Sequence, residues 1–165
     1  LKKLKDVNGR LELVKRYPND VQVFVDYAHT PDALFQTLKS LKNNYGHNIS
    51  LVFGCGGERD QTKRPIMARI ANDNCKKIYV TDDNPRDENP EIIRSQIMSR
   101  CPDAIEIPDR KEAILTGIKN LEEDDILLIA GKGHEKVQDY GKYKNFFSRL
   151  YELYYYFIKI IKSFT

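Results

Sequence analysis

A chain of 165 residues, 41% hydrophobic and 31% charged, can form one domain with a sizeable core and a short appendage. Its formal net charge of +3 is too small, and its 27 basic and 24 acidic residues too mixed, to argue for nucleic acid. No apolar run reaches membrane-spanning length, and the Leu1–Asp6 start lacks the apolar core of a signal peptide.

Three cysteines, Cys55, Cys75 and Cys101, lack the spacing of a structural zinc site and are odd in number for a disulfide framework. A reducing, cytoplasmic setting and a monomer are expected. The chain opens on Leu1 without Met and is expected to be part of a longer protein.

In chain order, Val21–Val25 reads as a buried strand. Pro31–Asn44 reads as a helix, with Leu34, Phe35, Leu38 and Leu41 at helical spacing, Thr30 as N-cap and Pro31 at the first position. Ile49–Phe53 is a second strand, Arg64–Asn74 a second helix and Lys77–Thr81 a third strand. Pro90–Arg100 is a third helix and Ala104–Ile107 a short strand. Asp109 caps a fourth helix running to about Asn120, and Asp125–Ala130 is a final strand. This alternation predicts an α/β fold, Rossmann-like, with a mostly parallel sheet and helices on both faces. Such sheets bind ligands beyond the carboxyl ends of their strands, so the loops there carry the chemistry.

The first loop is Asp26-Tyr27-Ala28-His29-Thr30-Pro31. Asp26 can accept from a ligand hydroxyl and His29 can meet a phosphate. Equally, Asp26 and Thr30 can cap and His29 can pack. The second is Gly54-Cys55-Gly56-Gly57-Glu58-Arg59. Its glycines allow close backbone approach to an anion, and Arg59 adds a planar fork for carboxylate or phosphate. The ending of a Walker A loop is absent. Cys55 has no His beside it in sequence and reads as a packing residue.

The third loop, Asp82-Asp83-Asn84-Pro85-Arg86-Asp87-Glu88, joins opposed charges in a segment stiffened by Pro85. Asp83 and Asn84 can hold an ammonium group and Arg86 can clamp a carboxylate, a pairing that suits an amino-acid zwitterion. Helix N-terminal acidity explains Asp87 and Glu88 but not Arg86. The fourth loop, Gly131-Lys132-Gly133-His134-Glu135, offers Glu135 to an ammonium group, or is a tight turn with surface charges. His47 lies in a polar turn and is assigned no function.

Together DYAHTPDAL (26–34), VFGCGGERDQTKRP (52–65), TDDNPRDENP (81–90) and AGKGHE (130–135), with NGRLE (8–12) upstream, resemble the C-terminal domain of the Mur ligase family, in its diaminopimelate-adding branch. The resemblance covers about residues 4–147 and implies a three-domain, ATP-dependent ligase of peptidoglycan biosynthesis. Such an enzyme adds meso-diaminopimelate to UDP-N-acetylmuramoyl-L-alanyl-D-glutamate. It further implies that ATP and Mg2+ are bound mainly by a central domain that this chain lacks, so that the chain alone is inactive and contains no catalytic residue.

By the same resemblance, Arg59, Asp83, Asn84, Pro85, Arg86, Gly131 and Glu135 contact diaminopimelate, while Arg10, Asp26 and His29 contact ATP. Diaminopimelate differs from lysine by a second carboxylate, which Arg86 can pair, a discrimination of roughly 2–5 kcal/mol. Alternatives are a related Mur or folylpolyglutamate ligase with another amino acid, and a stand-alone amino-acid-binding module. Residues 1–148 are expected to form the family domain. Residues 149–165, rich in Tyr, Phe and Ile, depart from the family pattern and are expected to be an altered terminus prone to aggregation.

Overall fold

A computed structural model of the chain describes residues 11–16, 21–46, 48–133 and 135–146. The elements are β1 (Glu12–Arg16), β2 (Gln22–Asp26), α1 (Pro31–Tyr45), β3 (Ile49–Phe53), α2 (Lys63–Asn74) and β4 (Lys77–Val80). There follow α3 (Pro90–Met98), β5 (Ile105–Glu106), α4 (Arg110–Lys119), β6 (Ile126–Ala130), β7 (Val137–Asp139) and β8 (Lys144–Phe146). Arg10, His47, His134 and the expected atypical tail lie outside the described residues.

Six strands form one sheet in the order β1-β2-β6-β3-β4-β5. All neighbours are parallel except the antiparallel β1–β2 pair at the edge. The side-chain period of two divides each central strand between two cores. Ile126, Leu128 and Ala130 of β6 pack with Phe24, Leu51 and Phe53 under α1, α2 and α3. Leu127 and Ile129 point the other way, with Val23, Val25, Val52 and Tyr79, against Ala113, Ile114 and Ile118 of α4.

This three-to-one split of helices follows from handedness. Right-handed crossovers that step outward from β2 through β3 and β4 to β5 put α1, α2 and α3 on one face. The return from β5 to the central β6 reverses direction and puts α4 on the other. The expected fold class therefore holds, with element ends shifted by a residue or two.

The caps are local and match the sequence reading. Thr30 Oγ1 accepts from Ala33 N at 3.3 Å, and Pro31 opens α1. Asp109 Oδ1 accepts from Glu112 N at 2.8 Å and starts α4. Replacing Asp109 with alanine is expected to lower stability by about 1 kcal/mol, read as a fall in the urea midpoint with an unchanged slope; an unchanged midpoint would exclude the cap. Strand β1 and the β7–β8 hairpin were not expected. The hairpin pairs Val137, Gln138 and Asp139 with Phe146, Asn145 and Lys144 beside the sheet's carboxyl edge. Among the described residues, no helix is long and apolar enough to cross a membrane.

Candidate functional site

The carboxyl ends of β2, β3, β4 and β6 open into one cleft of about 480 Å³. Its lining includes His29, Arg59, Asp83, Asn84, Arg86, Gly131 and Glu135. Seven of the ten residues singled out in the sequence thus meet in space, from four separate loops. Pro85 does not line the cleft but is buried behind it. A Cβ on Gly57 would lie 1.9 Å from the Pro85 carbonyl oxygen, so only glycine lets the second and third loops lie this close. Gly57 N donates to Asn84 O at 2.8 Å and joins them.

Arg86 adopts a positive φ of 54° at the turn of the third loop. Its backbone N–H donates to Asp139 O of the hairpin at 2.9 Å. One arm of its guanidinium, Nη1, donates to Gly57 O at 2.7 Å and to Asn84 O at 3.3 Å. That bond fixes the fork and leaves its other arm for an anion. Arg59 stands exposed on the lip of the cleft.

Asn84 is held more tightly than its place in a loop suggests. Its Oδ1 accepts from Lys132 Nζ and, at 2.9 Å, from Asp139 N. A backbone N–H needs an acceptor, which settles which end of the amide is oxygen. Asn84 Nδ2 faces Glu135 Oε2 at 3.3 Å, so the amide offers the cleft N–H donors. The expectation that Asn84 holds an ammonium group is corrected on this ground: its acceptor is already used. The acidic side chains in the cleft lining are Asp60, Asp83 and Glu135.

Glu135 titrates below the ordinary carboxylate value. Burial opposes ionisation, but the Lys132 ammonium and hydrogen bonds from Lys132, Asn84 and Tyr27 outweigh it. Tyr27 OH donates to Glu135 Oε1 at 3.1 Å, and Glu135 in turn pushes the Tyr27 hydroxyl up.

Asp26 lies outside the cleft lining and is buried. Its Oδ2 accepts from Leu11 N at 2.6 Å, its Oδ1 from Ala28 N at 2.6 Å. Its backbone carbonyl takes the N–H groups of Gly131 and Gly133. The carboxylate thus holds the backbone at Leu11 and Ala28, while the Asp26 backbone carbonyl ties the first loop to the fourth. His29 is exposed, with its ring edge-on to Tyr27 at 4.8 Å. Burial pushes the Cys55 thiol up to about 12, in keeping with a packing role.

Three residues that the sequence reading passed over hold the site together. Lys132, in the fourth loop, is 1% exposed. Arg64, on the first turn of α2, is 0% exposed. Its Nη1 and Nη2 grip Glu88 Oε1 and Oε2 at 2.6 and 2.8 Å, and they also donate to Gln96 Oε1 and Gly56 O. Gln138 of β7 donates its side-chain amide to the Asp82 and Asp83 carbonyls at 3.0 and 3.1 Å. The cues in the sequence were that Lys132 and Arg64 fall within the quoted motifs AGKGHE and VFGCGGERDQTKRP. Beyond that, neither Arg64 nor Gln138 carries a sign of its role, since the side-chain partners of Arg64 and the partners of Gln138 lie more than 20 residues away.

A mostly parallel α/β sheet whose carboxyl-edge loops gather arginines and acids in one cleft places the chain in the Rossmann-like class of folds. More narrowly, the chain belongs to the Mur ligase family: the model for the Mur ligase glutamate ligase domain matches residues 9–133. It is 53% identical over 148 residues to UDP-N-acetylmuramoyl-L-alanyl-D-glutamate–2,6-diaminopimelate ligase of Rickettsia bellii, covering 87% of this chain and 30% of that protein.

A solved structure of a ligase with the same name is 39% identical, with a TM-score of 0.79, and the match covers 92% of this chain and 32% of that one. A bifunctional folylpolyglutamate synthase/dihydrofolate synthase of Yersinia pestis, complexed with AMPPNP and Mn ion, shares the fold at a TM-score of 0.63 and 18% identity, over 78% of this chain and 29% of that one. The chain spans about a third of the length of these relatives.

Proposed function

We propose that this chain is the amino-acid-binding domain of a cytoplasmic, ATP-dependent ligase that joins meso-diaminopimelate to UDP-N-acetylmuramoyl-L-alanyl-D-glutamate during peptidoglycan biosynthesis. The observation that carries the reading is the charge layout of the cleft. Arg86 and the Asn84 N–H donors meet Asp83 and Glu135 within one concave surface. That layout complements the ammonium and carboxylate at the far end of diaminopimelate. Arg86 takes the carboxylate, aided by Asn84 Nδ2. Asp83 and Glu135 take the ammonium group, and Gly131, at φ 100°, lets the backbone come close. Arg59 on the lip suits the other carboxylate.

The nucleotide and its metal fit this segment poorly. Of the two described residues that the resemblance assigns to ATP, His29 is in the cleft and Asp26 is engaged by backbone N–H groups; Arg10 lies outside the described residues. Among the described residues, no group of three or more His, Cys, Asp or Glu could hold a metal ion. ATP and Mg2+ are therefore assigned to the remaining two-thirds of a ligase of the relatives' length. The role of this chain is to bind and orient the attacking amine.

The test is a chimeric ligase in which this chain replaces the matching segment of the Rickettsia bellii relative. With ATP, magnesium and the muramoyl-dipeptide nucleotide, phosphate release should depend on added meso-diaminopimelate. A folded chimera that releases no phosphate with any amino acid would reject the reading.

A further inference from the structure

The Lys132 ammonium lies behind the wall of the cleft, not in it. The side chain is buried and rises from a turn between two glycines with positive φ, Gly131 at 100° and Gly133 at 45°. An ammonium group has three N–H donors. Here they go to Asn84 Oδ1, to Val137 O at 2.8 Å and to Glu135 Oε2 at 3.3 Å. Asp83 Oδ1 lies 3.1 Å from the same nitrogen as an ion pair, without a hydrogen bond of its own. One buried cation thus touches both acids and the amide of the cleft wall, and ties them to the start of the β7–β8 hairpin.

Building on the function proposed above, we infer that Lys132 is a positioning residue that fixes the polarity of the amino-acid cleft. It turns the Asn84 oxygen inward and so turns the Asn84 N–H donors outward, toward a carboxylate. It neutralises part of the Asp83–Glu135 charge, so that two carboxylates can sit side by side and still accept from one substrate ammonium group. Without it, the Asn84 oxygen keeps only the Asp139 N–H as a donor and the amide is held less firmly, while the two acids repel one another and move apart. The cleft then loses the division between its carboxylate side and its ammonium side. Arginine is no substitute, because its planar fork cannot send three donors along the tetrahedral directions that Lys132 uses.

The chimeric ligase supplies the test. Lys132→Met keeps an unbranched side chain close to the lysine stem and removes the charged head. It should raise KM for meso-diaminopimelate by about tenfold or more, the scale of one lost charged hydrogen-bond partner at a buried site. KM for ATP should stay within about twofold. A residue that served stability alone would change both constants together or neither.

Lys132→Ala adds a second reading. Propylammonium, matched to the missing stem and head, should restore a low KM for meso-diaminopimelate, whereas tetramethylammonium, which has charge but no N–H donors, should not. An unchanged KM for meso-diaminopimelate in Lys132→Met would overturn the inference, as would equal rescue by both amines. Should neither variant fold, Lys132→Arg decides: a raised KM for meso-diaminopimelate with KM for ATP kept supports the inference, and wild-type constants sink it. The unmutated chimera is the control. If it uses no amino acid, the underlying function fails; if it works while Lys132→Met matches it, only the role of Lys132 fails.

Discussion

Replacing Arg86 with alanine is expected to lower kcat/KM for meso-diaminopimelate in the chimeric ligase by about 30- to 150-fold, while KM for ATP stays put. The figure corresponds to about 2–3 kcal/mol, the low end for truncating one partner of a buried charge pair, because Arg86 is only half-buried. The effect should fall on one substrate because the proposed function pairs the second arm of the guanidinium with the second carboxylate, which L-lysine lacks. Activity with L-lysine, whatever its starting level, should therefore change little, and the preference between the two amino acids should collapse. Arg86→Lys should recover only part of the loss, since an ammonium group keeps the charge but not the fork. Steady-state kinetics with both amino acids reads all of this. Equal losses for ATP and diaminopimelate would instead point to a general collapse of the loop, because Arg86 Nη1 also ties Gly57 O and Asn84 O.

The largest loss of stability is expected from Arg64→Ala. Arg64 is fully buried and its carboxylate partner Glu88 is 17% exposed, so truncation leaves a mostly buried charge without its partner. Breaking such a pair costs about 3 kcal/mol or more. It also frees Gly56 O and Gln96 from the same guanidinium, which loosens the second loop from α2 and α3. Chemical denaturation should show the midpoint falling.

The pH dependence gives an independent check. The Arg64 guanidinium, through its hydrogen bonds, holds Glu88 below the ordinary glutamate value of 4.5, against the opposing effect of burial. A carboxylate depressed in the folded state contributes stability that is fully present above that ordinary value. The contribution is lost as pH falls through the depressed folded value. The stability gap between the wild-type chain and Glu88→Gln should therefore be constant near neutral pH and close progressively below about 4.5. A gap that stayed open in acid would mean that Glu88 acts by shape and not by charge.

How much of this could be read in the sequence depended on where the determining partner sits. The apolar runs Ile49–Phe53 and Ile126–Ala130 became central strands because strands buried on both faces need side chains on both sides. Caps such as Asp109 are decided within one turn. The four loops were legible as chemistry because parallel sheets place such loops together.

The β7–β8 hairpin was not legible. Its strands are three residues long and mixed in polarity, and its bonds to residues 82–86 cross more than 50 positions. Lys132 was passed over for the same reason. Between two glycines a lysine looks solvated, and two of the partners that make its burial favourable, Asp83 and Asn84, lie about 50 residues earlier in the chain. Asp26 lies in a loop that does build the cleft, yet its carboxylate faces the backbone of Leu11 and Ala28, a direction that the sequence alone does not fix. The sense of the Asn84 amide likewise appears only once Asp139 N is seen to need an acceptor.

The central claim is that this cleft selects the amino acid that a ligase uses. It is tested most directly by the ratio of kcat/KM for meso-diaminopimelate to that for L-lysine, measured in the chimeric ligase with saturating ATP and muramoyl-dipeptide nucleotide. A ratio of about 30 or more, the equivalent of about 2 kcal/mol for one charge pair made with one substrate and not the other, is the predicted result. A ratio near one, or one that favours L-lysine, would contradict the account and detach Arg86 and its loop from substrate choice.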